Sequence, residues 1–208
     1  DVYGDHAPVQ LDADHSAPHT NVPPDFLRSL MSQLRPTCLV EVGSWKGGSA
    51  LLIADAAVEA TPPHAPPPTL LCIDTWLGDG ATWLDRCVGW REGLLLNHGL
   101  PQVFWQFVAN CRRRADVIFP WPLASLTALR ALQHLAIRGA VPQPDFVYLD
   151  AAHEKGETLI EIRRAFELLR PGGVLVGDDL DWPAVEVRRW RRSAQSAARA
   201  RASAPERW

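Results

Sequence analysis

Five short apolar runs, CLVEV, LLCID, DVIFPW, DFVYLD and GVLVG, are separated by SALLIADAAV, PQVFWQFVANC, SLTALRALQHLAI and ETLIEIRRAFELL, which read as helices. Strands that alternate with helices point to βαβ units and one parallel sheet, with helices on both faces. In such open sheets ligands sit beyond the carboxyl ends of the strands, so the residues that close each strand carry the functional information.

The chain has 208 residues, the size of one ordinary α/β domain with ample core. The expected organisation is a flexible leader over residues 1–21, a domain over 22–182, and a basic Arg/Ala-rich helical tail over 183–208. The tail holds seven Arg against two Glu (+5), which leaves −8 for the rest of a chain of net charge −3. An acidic body gives little support to nucleic-acid binding, and the tail reads first as a solvated helix. No apolar run is long enough for a bilayer, and DVYGDHAPVQLDADHSAPHT is too polar for a signal peptide, so the expectation is a soluble, cytoplasmic protein with no membrane partner. The four cysteines show no C-x-x-C spacing, and Cys38 and Cys72 lie inside strand-like runs as small hydrophobes. His6, His15 and His19 fall among acids in the leader, where low apolar content suggests a solvated segment.

Helical spacing sets the expected buried faces. In PPDFLRSLMSQLRP the buried set is Phe26, Leu27, Leu30, Met31 and Leu34. In ETLIEIRRAFELL it is Leu159, Ile162, Phe166 and Leu169, with Glu161, Arg163 and Arg164 facing water. TPPHAPPPT, residues 61 to 69, reads as a stiff surface insertion. Trp76, Trp83 and Trp90, after the second strand, suit either a pocket wall or the core.

The strand ends are acidic. The first closes on EVGSWKGGS with Glu41, the second on Asp74, the fourth on Asp150, and the fifth on Asp178 and Asp179. Carboxylates at one rim must face solvent, hydrogen-bond donors or a cation, because isolated ionised carboxylates are costly to bury. Gly43 and Gly47 let the backbone turn tightly, and the helix start at 47 to 49 offers N–H donors. This is no G-x-G-x-x-G fingerprint, and Glu41 would oppose a pyrophosphate there. An acid at that position suits a ligand with a positive amino group, and Asp74 is placed to accept from ribose hydroxyls. Glycines that serve packing alone remain the alternative.

EVGSWKGGSA, CIDTWLGD, VYLDAAHEKGE and LLRPGGVLVGDDLDWPAV occur in this order, and over residues 22–190 the chain resembles the class I S-adenosylmethionine-dependent methyltransferases. Within them it is similar to the small-molecule O-methyltransferases grouped as methyltransferase domain 24. The resemblance implies a Rossmann-like sheet of strand order 3-2-1-4-5 and methyl transfer from S-adenosylmethionine to a hydroxyl of a small molecule. It implies that Glu41, Gly43, Gly47 and Ser49, with Ser44 of the same turn, hold the methionine end of the cofactor. Asp74 would hold its ribose and Ser125 would lie beside its adenine.

In metal-dependent relatives such as the catechol O-methyltransferases, an Asp after strand four and an acidic-polar pair after strand five hold magnesium. Asp150, Asp178 and Asp179 match those positions and would bind Mg2+ or another divalent cation, which takes oxygen ligands and leaves room for a substrate hydroxyl. The alternative is a solvated acidic loop, or helix capping by Asp179 and Asp181. His153 stands where those enzymes carry a catalytic lysine, which makes it the leading general base; an exposed helix-start histidine is the alternative. The chain departs from the full fold in offering no sixth or seventh strand after Asp181. That leaves the fifth strand's edge to be covered by a homodimer or by the tail, and leaves open an inactive cofactor-binding relative. A nicotinamide-dependent oxidoreductase would share the alternating fold but not the acids at the rim.

Overall fold

The computed structural model describes residues 2–4, 11–14, 21–84, 89–151 and 156–178. His6, His15, His19, His153, Asp179, Asp181 and the tail from 183 lie outside them. The described elements are α1 (Pro24–Leu34), β1 (Cys38–Val42), α2 (Gly48–Glu59), β2 (Thr69–Asp74), α3 (Gly80–Trp83), α4 (Val103–Cys111), β3 (Ile118–Pro122), α5 (Ser125–Ile137), β4 (Phe146–Leu149), α6 (Glu157–Leu168) and β5 (Val174–Gly177).

All strand pairs are parallel, in the order β3-β2-β1-β4-β5 that the resemblance implies. The right of β1 and β4 to the centre is visible in their side chains, since every residue of Phe146–Leu149 is buried, as are Leu39 to Val42. Period-two alternation then sorts the two cores. Leu39, Phe146 and Tyr148 face α1, α2 and α4, while Val40, Val42, Val147 and Leu149 face α5 and α6. β3, with Pro120 and Pro122, pairs with β2 alone among the described strands, and an edge tolerates prolines that lack a ladder donor. Residues 62–67 of the proline-rich insertion are exposed, as expected.

Two helix faces differ from their expected orientation. On α1, Leu27 and Met31 are buried and Leu30 and Leu34 pack against them, but Phe26 is 51% exposed. On α6 the difference is larger: Ala165, Leu168 and Leu169 are buried and Ile162 packs beside them, whereas Phe166 is 67% exposed and Glu161 only 2%. The apolar stripe is rotated: α6 packs chiefly on α5, with Ala165 in the core that the two helices share with β1 and β4, and Glu161 lines the cavity at the strand ends. Among the described cysteines, Cys38, Cys72 and Cys111 are free thiols, and no described helix is long and apolar enough to cross a membrane.

Candidate functional site

The carboxyl ends of the strands surround a cavity of about 630 Å³. One wall is the turn after β1 with the start of α2, including Gly43, Ser44, Trp45, Lys46 and Ser49. Asp74 and Thr75 close β2 on one side of it, Ser125 begins α5, and on the other side come Asp150 after β4, next to Gly43, then Glu157 and Glu161 of α6 and Asp178 after β5. The chain thus brings seven of the expected site residues to one cavity: Gly43, Ser44, Ser49, Asp74, Ser125, Asp150 and Asp178. Glu41 and Gly47 lie behind its wall, and His153 and Asp179 are outside the described residues.

Gly43 is glycine because β4 leaves no room for anything else. Its φ is +88°, and a Cβ there would sit 1.8 Å from the carbonyl oxygen of Asp150. The close approach is therefore between the ends of β1 and β4, reinforced by the Asp150 N–H donating to the Val42 carbonyl at 2.8 Å. Gly47, at φ +86°, packs on α4, where a Cβ would meet Cys111 Sγ at 2.4 Å. Both glycines make room for protein, and Gly43 also faces the cavity.

Asp74 clamps this turn. Its Oδ2 accepts from Ser44 N–H at 3.0 Å and Trp45 N–H at 2.8 Å, and its Oδ1 from Trp76 N–H at 2.8 Å. Burial pushes its carboxyl up while these backbone donors pull against that rise. The indole N–H of Trp76 donates to the Trp45 carbonyl at 2.7 Å and locks the turn from the other side. Trp76 is accordingly core, 2% exposed, whereas Trp90 lines the cavity and Trp83 is 38% exposed.

Glu41 corrects the picture of four acids on one rim. Because β1 alternates, its side chain shares the face of Leu39 and is flanked in register by Cys72 and Tyr148. It is fully buried, receives the Ser44 hydroxyl at 2.6 Å on Oε2, and its Oε1 has no hydrogen-bond partner among the described residues. Burial pushes its pKa up to about 7, offset in part by the hydroxyls of Ser44 and Ser49. Its reach to the cavity runs through Ser44, which stands between them.

After β5, Asp178 Oδ2 accepts from the Tyr148 hydroxyl at 2.7 Å and from Asn21 N–H at 3.0 Å. Tyr148 went unnoticed in the sequence, although alternation from Leu149 places it on the face of Glu41. Glu161, expected to face water, lines the cavity with Glu157, and its place four residues after Glu157 is the sequence signal that both share one helical face. Among the described residues no group of three His, Cys, Asp or Glu side chains is arranged to hold a metal.

The parallel sheet in this order, with a glycine turn and an acid-closed second strand bordering a cavity, agrees with the Rossmann-like fold of the S-adenosylmethionine-dependent methyltransferases that the resemblance implies. Residues 40–180 match the family described as a methyltransferase domain, and the chain belongs to that family. The nicotinamide-dependent alternative is thereby set aside. Among curated proteins none is significantly similar in sequence. The fold is shared with an O-methyltransferase from Bacillus cereus solved with S-adenosylhomocysteine, at TM-score 0.50 and 18% identity over 86% of this chain and 72% of that one. It is shared equally with TomG, an O-methyltransferase of tomaymycin synthesis from Streptomyces achromogenes solved with S-adenosylmethionine, at TM-score 0.50 and 21% identity over 84% and 67%.

Proposed function

We propose that this methyltransferase transfers the methyl group of S-adenosylmethionine to a hydroxyl of a small molecule, with a divalent cation beside the acceptor. The observation that carries the reading is that one cavity is lined both by a clamped glycine turn and by carboxylates that follow β4 and β5 and stand on α6. The turn would receive the methionine end of the cofactor, Asp74 its ribose and Ser125 its adenine. Ser44 would present the cofactor's amino group to a hydroxyl backed by Glu41, so that the buried carboxyl acts at one remove.

Asp150 and Asp178 supply the hard oxygen donors that magnesium prefers, and Asp179, adjacent in sequence, would add a third. A bound cation would lower the pKa of the acceptor hydroxyl and fix its oxygen toward the methyl group. The chain's own part is to exclude bulk water within the cavity, to align the acceptor, and, at His153, to take the hydroxyl proton. The bonds that Asp178 accepts from Tyr148 and Asn21 favour a second reading, in which this carboxylate positions the acceptor's rim without metal.

Labelled methyl transfer from S-adenosylmethionine to a library of hydroxylated compounds, with magnesium or with chelator, tests both. Transfer that needs magnesium and collapses in Asp150→Asn is the expected result. Transfer undiminished in chelator and in Asp178→Asn would make the enzyme metal-independent, and transfer only to amines would overturn the hydroxyl acceptor.

A further inference from the structure

The cofactor turn is held by a third support that its own sequence does not contain. Asn110 on α4 is 3% exposed, and its Nδ2 donates to the Lys46 carbonyl, in the middle of the turn, at 2.8 Å. Its Oδ1 accepts from the N–H of Asp14 at 2.7 Å and from Gln106 Nε2 at 3.0 Å. The same Gln106 Nε2 donates to the carbonyl of Asp12 at 2.8 Å, and Lys46 Nζ lies 3.6 Å from the Asp14 carboxylate. Residues 12 and 14 belong to the segment whose composition suggested a flexible leader. At these positions two buried amides of α4 satisfy its backbone instead of water.

An amide can present its nitrogen to only one side, and two donors converging on Oδ1 decide which side that is for Asn110. The Asp14 N–H is one of those donors. Withdraw the leader, and one of the two interactions that aim Nδ2 at the turn is lost. A cavity of about 370 Å³, lined by Asp14, Lys46, Asn110, Arg113 and the first turns of α2, lies beside this junction and leaves space for it to relax.

We infer that Asn110 is a positioning residue of the cofactor site, and that through it the docking of residues 12–14 and the binding of cofactor strengthen each other. Coupling of this kind is reciprocal: if the docked leader shapes the turn, an occupied turn must hold the leader. The inference rests on the reading that the cavity takes S-adenosylmethionine.

The test uses the full chain, calorimetry with S-adenosylhomocysteine and amide hydrogen exchange across residues 11–14. In the wild type, S-adenosylhomocysteine should slow exchange in that segment. Asn110→Asp keeps an acceptor for Asp14 but replaces the donor to Lys46, and should weaken S-adenosylhomocysteine by roughly 3- to 10-fold, the worth of one buried hydrogen bond. Gln106→Met removes the donor to the Asp12 carbonyl together with one of the two donors on Asn110 Oδ1, and should speed exchange at residues 12–14 and weaken the ligand by about 2- to 5-fold. Should Asn110→Asp fail to fold, the wild-type and Gln106→Met arms decide alone. Exchange indifferent to ligand, or wild-type affinity in a Gln106→Met variant whose leader exchanges faster, would overturn the coupling. A wild type that binds no S-adenosylhomocysteine would instead overturn the reading of the cavity itself.

Discussion

Asp145 and Glu41 are both buried carboxyls on the central strands or their ends, and they could hardly be treated more differently. Asp145, just before β4, accepts from the N–H groups of Thr37 at 2.7 Å and Cys38 at 2.9 Å and pairs with Arg170. Its pKa is lowered, because the Arg170 guanidinium and the two backbone donors outweigh its burial. Glu41, near the far end of β1, has the Ser44 hydroxyl on one oxygen, no hydrogen bond to the other among the described residues, and a pKa that burial pushes up to about 7. A carboxyl that ties two strands together is given a cation and backbone donors. One buried with fewer partners, behind the cavity wall, is instead held near neutrality by its burial.

The contrast between the two ends of the sheet can be broken by substitution, and the largest effect should come from Gly43→Ala. Its Cβ would collide with the Asp150 backbone at a positive φ, so destabilisation of about 4 kcal/mol or more is expected in chemical denaturation. Gly89→Ala, with the same φ and no atom within 4 Å, should lose far less. At the other end, Asp145→Ala leaves two backbone donors and Arg170 without their acceptor and should cost about 3 kcal/mol at neutral pH. Since its folded pKa is depressed, that contribution is present above the ordinary Asp range and is lost as pH falls through the folded value. The gap between wild type and variant should therefore shrink in acid.

Glu41 should behave with the opposite sign. Its raised pKa means that the folded protein holds a proton the unfolded chain has released, so stability falls as pH rises from the ordinary Glu range to about 7. Glu41→Gln mimics the protonated form and should be more stable than wild type at pH 8 by on the order of 2 kcal/mol, with no gain below the ordinary Glu range. Parallel melting curves for the two proteins across that range would show that Glu41 is charged and satisfied after all.

The strand–helix alternation and the acidic strand ends are legible because they are local signals, whereas the sheet order comes only with the family resemblance. Glu161 and Phe166 were misplaced because both are set by how α6 rolls on α5, which the helix's own apolar stripe does not record. Glu41 was placed at the rim by its position near the strand end, while its direction followed from counting back to Leu39. Asn110 and Gln106 gave no local sign, since their partners, Lys46 and the backbone of Asp12 and Asp14, lie far away in sequence. Cofactor motifs announce the turn, and the residues that hold it still are recruited by tertiary packing.

The smallest change proposed is also the most direct test of the claim that Asp74 serves ligand binding while Asp145 serves stability. Asp74→Asn and Asp145→Ala, compared by thermal melting and by calorimetry with S-adenosylhomocysteine, should separate cleanly. Asp74→Asn should bind about 10-fold more weakly, near 1.5 kcal/mol for a charge-assisted hydrogen bond, and, because its amide nitrogen cannot accept a backbone N–H, should melt somewhat below wild type yet above Asp145→Ala. Asp145→Ala should melt well below wild type and bind with wild-type affinity while folded. An Asp74→Asn variant that binds normally, or an Asp145→Ala variant that melts normally and binds poorly, would contradict the division.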